Sequence, residues 1–162
     1  CYYVLKQEDI VVGYVSLIWF DDAALSFLMG PSPKQLIATS AGTGVYSVTG
    51  PEHMIPFTPG QPIESLFISL AVRPGMSNQQ QREYGFRLLR GTLETIEDFA
   101  RRGMPVHMLF ATSEKGDGIQ MARKLGMEEV HFPGDKLLRF KLDLETSQAS
   151  MAKTYREALK HS

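Results

Sequence analysis

Glu64 opens an apolar run, ESLFISLAVR over 64–73. A carboxylate at the mouth of a strand could deprotonate an ammonium if burial raised its pKa; the plainer alternative is a solvated strand end. Tyr84 carries a phenol that could donate to an anion or a thiol, or simply pack. Ser113, Glu114 and Asp117 gather where a second apolar run, PVHMLFA over 105–111, gives way to a helical pattern, and there Ser113 or Asp117 would serve equally as a helix cap. His107 alternates with apolar neighbours, the setting of a hydrogen-bonded structural histidine. His53 and His131 fall in irregular polar stretches and are expected to face solvent. Cys1 has no partner in sequence for a nucleophilic role. One cysteine and four scattered histidines show no metal-ligand spacing, so no metal site is expected.

The elements that must position these groups are read from hydrophobic period. Cys1–Leu5 and Ile10–Phe20 are β-branched and aromatic runs around the polar Lys6–Asp9, the signature of an antiparallel hairpin. Gly13 inside the second arm suits a bulge or a close backbone approach. From Asp21 to Ile63 the period fades and the prolines Pro31, Pro33, Pro51, Pro56, Pro59 and Pro62 accumulate, which predicts a long excursion with a short helix near Asp22–Met29 and a short strand at Gly44–Val48. Within 64–73, Leu66, Ile68, Leu70 and Val72 share one face and Phe67, Ser69 and Ala71 the other, so this strand is expected at the centre of a sheet covered on both sides. After Pro74-Gly75 comes a long helix from about Asn78 to Arg102, with Ser77 and Gln80 as a capping box. A strand over 105–111, a helix over Asp117–Leu125 ended by Gly126, an alternating strand Lys136–Leu144 with one wet face, and an amphipathic helix Ser147–Lys160 complete the order.

The fold class is therefore α/β, with a strand–helix–strand unit that requires a right-handed crossover. At 162 residues, one domain over 1–145 with a C-terminal helix over 146–162 packed on it or extending from it is the expected organisation. Apolar residues make up 43% of the chain and charged residues 22%, which suits a folded core and excludes a disordered chain. The formal net charge of −1 argues against nucleic acid and against an anionic membrane as partners. The arginines 87, 90, 101 and 102 read as a solvated helix face. No apolar stretch reaches the ~20 residues of a membrane span, and no signal segment leads the chain, so the cytoplasm is the expected compartment. Cys1 enters directly into a strand pattern, from which further residues are expected before it.

Several words of the sequence, in this order, resemble the GCN5-related N-acetyltransferase (GNAT) superfamily. The hairpin with DIVVGYVSL over 9–17 is similar to that family's second and third strands, FISLAVRPG over 67–75 to its fourth strand, and GIQMARKLGM over 118–127 to its fourth helix. The resemblance covers Cys1–Leu144 from the family's second strand onward; its first strand and first two helices have no counterpart here. It implies a mixed sheet with an antiparallel N-terminal hairpin, a splayed pair of parallel strands and flanking helices, and acetyl-CoA as co-substrate held in the V between the splayed strands. Leu70, Ala71 and Val72 would hold the pantetheine arm by their backbone. Gln80, Gln81, Arg82 and Gly85 would surround the pyrophosphate, in the stretch QQREYG that matches the family's glycine-rich loop, with Glu83 in place of its middle glycine. A carboxylate there repels a diphosphate, while Arg82 and Arg87 attract one.

The resemblance also implies the activity: an acyl-CoA-dependent N-acyltransferase, in which a primary amine of a small molecule or protein attacks the thioester directly. Glu64 is the candidate base. The family's tyrosine acid is replaced by Ala122; Ser113, Glu114 and Asp117 are the candidates to stand in for it, and the Tyr84 phenol, within the suspected cofactor stretch, is a further catalytic candidate that could reach phosphate or thiol. Homodimers are frequent in the family. The alternative, favoured by Glu83 and Ala122, is a non-catalytic GNAT-fold module that senses a ligand or binds a protein.

Overall fold

The computed structural model describes residues 1–31, 50–114 and 116–160. Strands β1 (Tyr2–Gln7) and β2 (Ile10–Ile18) form the expected hairpin, closed by Glu8 and Asp9 alone, with Glu8 in the left-handed region at φ 55°. Their register slips between Leu5, paired with Gly13, and Lys6, paired with Val11, so Val12 is the extra residue of a bulge. Gly13 also meets the second expectation. A Cβ on it would lie 2.8 Å from Leu88 Cδ1 and 2.9 Å from the Ala71 carbonyl oxygen, so its bare Cα lets the long helix settle onto the sheet.

Helix α1 (Asp22–Met29) follows, capped by Asp21, whose side chain accepts from the Ala24 N–H at 2.8 Å. The strand expected at 44–48 lies outside the described residues. The end of the excursion returns as a single 3₁₀ turn, Pro51–His53, and runs beside the end of β2, where Phe20 bridges Met54 and the Ile55 N–H donates to the Trp19 carbonyl at 2.7 Å.

Then come β3 (Ile63–Val72), α2 (Asn78–Arg101), β4 (Val106–Ser113), α3 (Gly116–Lys124), the short β5 (Glu128–Val130), β6 (Leu138–Asp143) and α4 (Ser150–Lys160). Gly126 ends α3 at φ 75°, the left-handed position expected of it, and the Met127 N–H closes back on the Ala122 carbonyl. The six strands form one sheet in the order β1-β2-β3-β4-β6-β5. Only β3 and β4 are parallel, and α2 is the crossover between them.

Both faces of the sheet are covered, as the two-sided pattern of β3 requires. Leu66 and Ile68 join Leu88, Ile96, Ala122 and Tyr155 in a core built by α2, α3 and α4. Phe67 turns to the other face, where Phe20, Ala24 and Leu28 of the α1 segment cover it. Helix α4 is integral to the first core: Ala152 and Tyr155 are buried, and the Tyr155 hydroxyl oxygen accepts from the Val106 N–H at 2.8 Å.

One expectation for β6 is overturned. Its alternating polar face is not uniformly wet, because Arg139 is only 1% exposed. The 131–137 connection folds over it, supplying Asp135 at 2.6 Å from Nη1, the Leu137 carbonyl, and the Phe132 ring 5.2 Å from the guanidinium carbon. Alternation reports which side of a strand a residue takes; it carries no information about a loop closing on that side.

Candidate functional site

The β3–β4 pair is zipped only at its base. Register runs from Ile63–Val106 to Phe67–Phe110 and stops there. Beyond that point β3 stays paired with β2 as far as Val72, opposite Gly13, and β4 stays paired with β6 as far as Ser113, opposite Leu138. Each strand thus follows its outer neighbour, and a fork opens between them.

Strand geometry says which amides face the fork. The Arg73 N–H donates to the Val12 carbonyl at 2.9 Å, so Arg73 and, two residues back, Ala71 direct their N–H groups at β2. Leu70 and Val72 alternate with them and direct theirs at β4, where the ladder has ended. Leu70 and Val72 therefore turn their amides into the fork. Ala71 does not: its amide belongs to the β2 ladder.

The start of α2 lies beyond the open end of β3. Ser77 caps it in the expected box, its Oγ accepting from the Gln80 N–H at 3.2 Å and its own N–H donating to Gln80 Oε1 at 3.1 Å. Here the structure departs from the glycine-loop reading. Gln80–Gly85 lies inside the helix, not ahead of it. Gln80 is used by the cap, and Gln81 by the Ser77 carbonyl, with its side chain donating to the Met76 carbonyl at 3.0 Å. The helix-start amides without a bond among the described residues are those of Asn78 and Gln79, two residues upstream. The QQREYG stretch thus falls within the helix whose first turn the Ser77–Gln80 box marks.

Within α2, Gly85 faces α3 so closely that a Cβ on it would lie 2.8 Å from Met121 Cε. Glu83, two residues earlier and so about 200° around the helix, is exposed and points away from that contact. It does not plug the fork. Arg82 is also exposed. Tyr84 is buried, and its hydroxyl donates to Gln7 Oε1 at the tip of the hairpin, which commits it to β1.

Ser113 is brought to the open end of the fork. It closes β4 and lies against the first turn of α3, where a Cβ on Gly118 would come within 2.3 Å of its Oγ. Glu64 is not brought there. It lies three residues below Phe67, about 10 Å down the zipped part of the pair. Its side chain is 73% exposed and its Oε2 lies 3.1 Å from His107 Nδ1. The burial its proposed basicity depends on is absent. His107 is held from its other side by Glu145, 3.7 Å from Nε2, as a structural histidine would be.

A hydrogen-bonded pair that sequence reasoning missed is His53–Asp21. His53 does not simply face solvent: its Nδ1 lies 2.9 Å from Asp21 Oδ2, and the Asp21 N–H donates to the His53 carbonyl. The hydrogen bond that the ring donates to Asp21 raises the imidazole pKa, and the Ala24 N–H, then His53, lower that of Asp21. Asp21 was legible as a helix cap ahead of an apolar octet; nothing in the sequence names a partner 32 residues away.

Among the described residues no helix is long and apolar enough to cross a membrane, and no group of His, Cys, Asp and Glu could hold a metal ion. No protein-family model matches the chain, and no curated protein matches it by sequence. Solved structures do resemble it. YncA from Salmonella typhimurium, described as an acetyltransferase and solved with acetyl-CoA, superposes with TM-score 0.47 and 17% identity over 91% of this chain and 66% of its own. An N-acetyltransferase from Staphylococcus aureus Mu50 gives 0.47 and 13% over 89% and 67%. A structure described as a phosphinothricin N-acetyltransferase gives 0.47 and 13% over 90% and 72%. The chain spans about two thirds of the length of the first two. These are likenesses of fold at low identity. The mixed sheet, the antiparallel N-terminal hairpin and the parallel pair that parts beyond its base are those the GNAT resemblance implies.

Proposed function

We propose that this chain is an acyl-CoA-dependent N-acyltransferase that moves an acetyl group from acetyl-CoA to a primary amine. The observation that carries the reading is the fork with the amides of Leu70 and Val72 turned into it. A thioester needs little acid–base help, because a thiolate is a good leaving group. It needs orientation and a donor placed where negative charge develops on the carbonyl oxygen. The Leu70 N–H, nearer the apex, takes that role, and the Val72 N–H holds an amide of the pantetheine arm. The amides of Asn78 and Gln79 and the α2 dipole face the diphosphate. The amine nitrogen bonds to the carbonyl carbon, the C–S bond breaks, and the amine proton leaves to water. Ser113 is the hydroxyl at the free end of β4 on the thiolate's side. Helix α1, on the opposite face of the sheet, flanks the acceptor side.

A second reading is favoured by one observation: neither Glu64 nor Tyr84 reaches the fork, since Glu64 is exposed at its base and Tyr84 is held by Gln7. A module that binds acyl-CoA or a protein without turnover would look the same. Calorimetry with acetyl-CoA, followed by thiol release against a panel of primary amines, separates the two. Micromolar binding with amine-dependent thiol release supports the transferase. Binding without release supports the module, and no binding at millimolar acetyl-CoA removes the transferase.

A further inference from the structure

Helix α1 has little of its own to hold it. At eight residues it is shorter than the ~12–15 a helix needs to persist alone in water, and of its residues only Ala24 and Leu28 are buried. Those two, with Phe20, rest on Phe67, the last residue of β3 zipped to β4, whose partner Phe110 joins the same cluster. The helix therefore covers the apex of the fork from the acceptor side, and what fixes its first turn is the carboxylate of Asp21. One oxygen, Oδ1, accepts from the Ala24 N–H at 2.8 Å; the other, Oδ2, lies 2.9 Å from His53 Nδ1. His53 stands at the far end of the excursion, on the 3₁₀ turn Pro51–His53, and its carbonyl accepts the Asp21 N–H at 2.9 Å. Helix cap and neck of the excursion thus share one side chain. With 33% of the His53 and 39% of the Asp21 side chain exposed, both exchange protons with solvent.

We propose that Asp21 and His53 form a pH-sensitive clasp that sets how firmly α1 is held over the apex of the fork. Its consequence for acceptor binding rests on the acyl-transfer reading above; the clasp itself does not. With the imidazole protonated, the ion pair fixes the Asp21 carboxylate in the rotamer that caps α1. Loss of the ring proton removes the charge, the carboxylate is free to turn to water, and the first turn frays. The other charged groups on the elements that meet there are Glu52 in the 3₁₀ turn and Asp22 in the first turn of α1; the end of β2 beside them, Ile18-Trp19-Phe20, carries none. Glu52 is folded back over Gly50, where a Cβ would lie 2.2 Å from its Oε2, so it leaves Asp21 as the partner of the ring. The bond to Asp21 raises the imidazole pKa against a smaller opposing effect of burial, and the charge of Glu52 adds to the rise. The clasp is therefore closed in mild acid and slackens as pH rises through the folded value.

Hydrogen exchange of the α1 amides at about pH 5.5 and about pH 8, corrected for the intrinsic pH dependence of exchange and referred to α2, reads the clasp without any ligand. In wild type the protection of Leu25–Met29 falls about two- to fivefold between the two, the size of effect an exposed pair exerts. His53→Gln, which keeps a hydrogen-bond donor without the charge, and Asp21→Asn, which keeps the cap acceptor, show the lower protection at both pH values with α2 unchanged. No fall in wild type, or the same fall in either variant, overturns the clasp. Where one variant unfolds, the wild-type pH dependence and the other variant decide. With acetyl-CoA and an accepted amine, His53→Gln raises KM for the amine and leaves KM for acetyl-CoA unchanged. A pH-dependent clasp in a protein that transfers no acyl group supports this proposal and overturns the transferase. Acyl transfer with an amine KM indifferent to His53→Gln keeps the transferase and overturns the part of the clasp in acceptor binding.

Discussion

Proline scanning along the end of β3 tests the fork directly, because proline removes one N–H and leaves the rest of the backbone in place. At Ala71 that N–H is bonded into the β2 ladder, by alternation from the Arg73–Val12 bond of 2.9 Å. Ala71→Pro deletes the bond, leaves the Tyr14 carbonyl short of its donor and presses the ring against β2, at a cost of about 1–3 kcal/mol. At Val72 the N–H faces the fork and has no ladder partner, so Val72→Pro costs only a modest adjustment of φ at the last residue of the strand. For a chain of this length each kcal/mol moves the melting temperature by roughly 2–4 °C, so Ala71→Pro should melt about 2–12 °C below Val72→Pro. Ligand binding should rank them the other way. Val72→Pro loses one neutral hydrogen bond to the pantetheine arm, about 0.5–1.5 kcal/mol, or roughly two- to twelvefold in the acetyl-CoA dissociation constant. Differential scanning calorimetry and titration calorimetry read the two quantities. Equal melting temperatures would show that the Val72 amide is bonded in the free protein. Unchanged acetyl-CoA affinity in Val72→Pro would show that the amide does not meet the ligand. Either result refutes the fork as a binding device.

Tyr155→Phe strips the buried Val106 N–H of its acceptor and should cost about 1–3 kcal/mol in urea unfolding; a cost under a few tenths would mean the bond contributes nothing. Burial raises the Tyr155 pKa, so stability from this residue is intact below the ordinary phenol value and declines as pH rises through the raised one, a decline that Tyr155→Phe should lack. Arg139→Ala leaves Asp135 buried without its guanidinium and should lose roughly 3–5 kcal/mol, most of it recovered by replacing Asp135 with leucine as well; no recovery in the double variant would count against the ion-pair account. For Asp21–His53, the raised imidazole contributes fully below its ordinary pKa and fades as pH rises through its folded value, while the lowered Asp21 contributes fully above its ordinary pKa and fades as pH falls through its folded value. The stability difference between wild type and His53→Gln should therefore be greatest at about pH 4–6.5 and shrink on both sides; a difference independent of pH would exclude the charged pair.

Local patterns in the chain were sufficient for the order of the main elements, the short β5 excepted, for the α/β class and for the placement of β3 at the centre. Those properties depend on short-range periodicity: the two faces of Leu66–Val72, the Ser77–Gln80 box, the Gly126 stop. The hairpin bulge at Gly13 was legible for the same reason, since a glycine amid β-branched neighbours marks a place where a side chain would collide. Tertiary structure alone decided which amides are free. That Leu70 and Val72 look into the fork while Ala71 does not depends on where β4 leaves β3 and on the register with β2, two long-range pairings that no neighbouring residue encodes. The same holds for the commitment of Tyr84 to Gln7, for the exposure of Glu64 below the apex, and for the burial of Arg139 under a loop. Side-chain type tells what a residue could do; which partner reaches it first is set by packing between segments far apart in the chain.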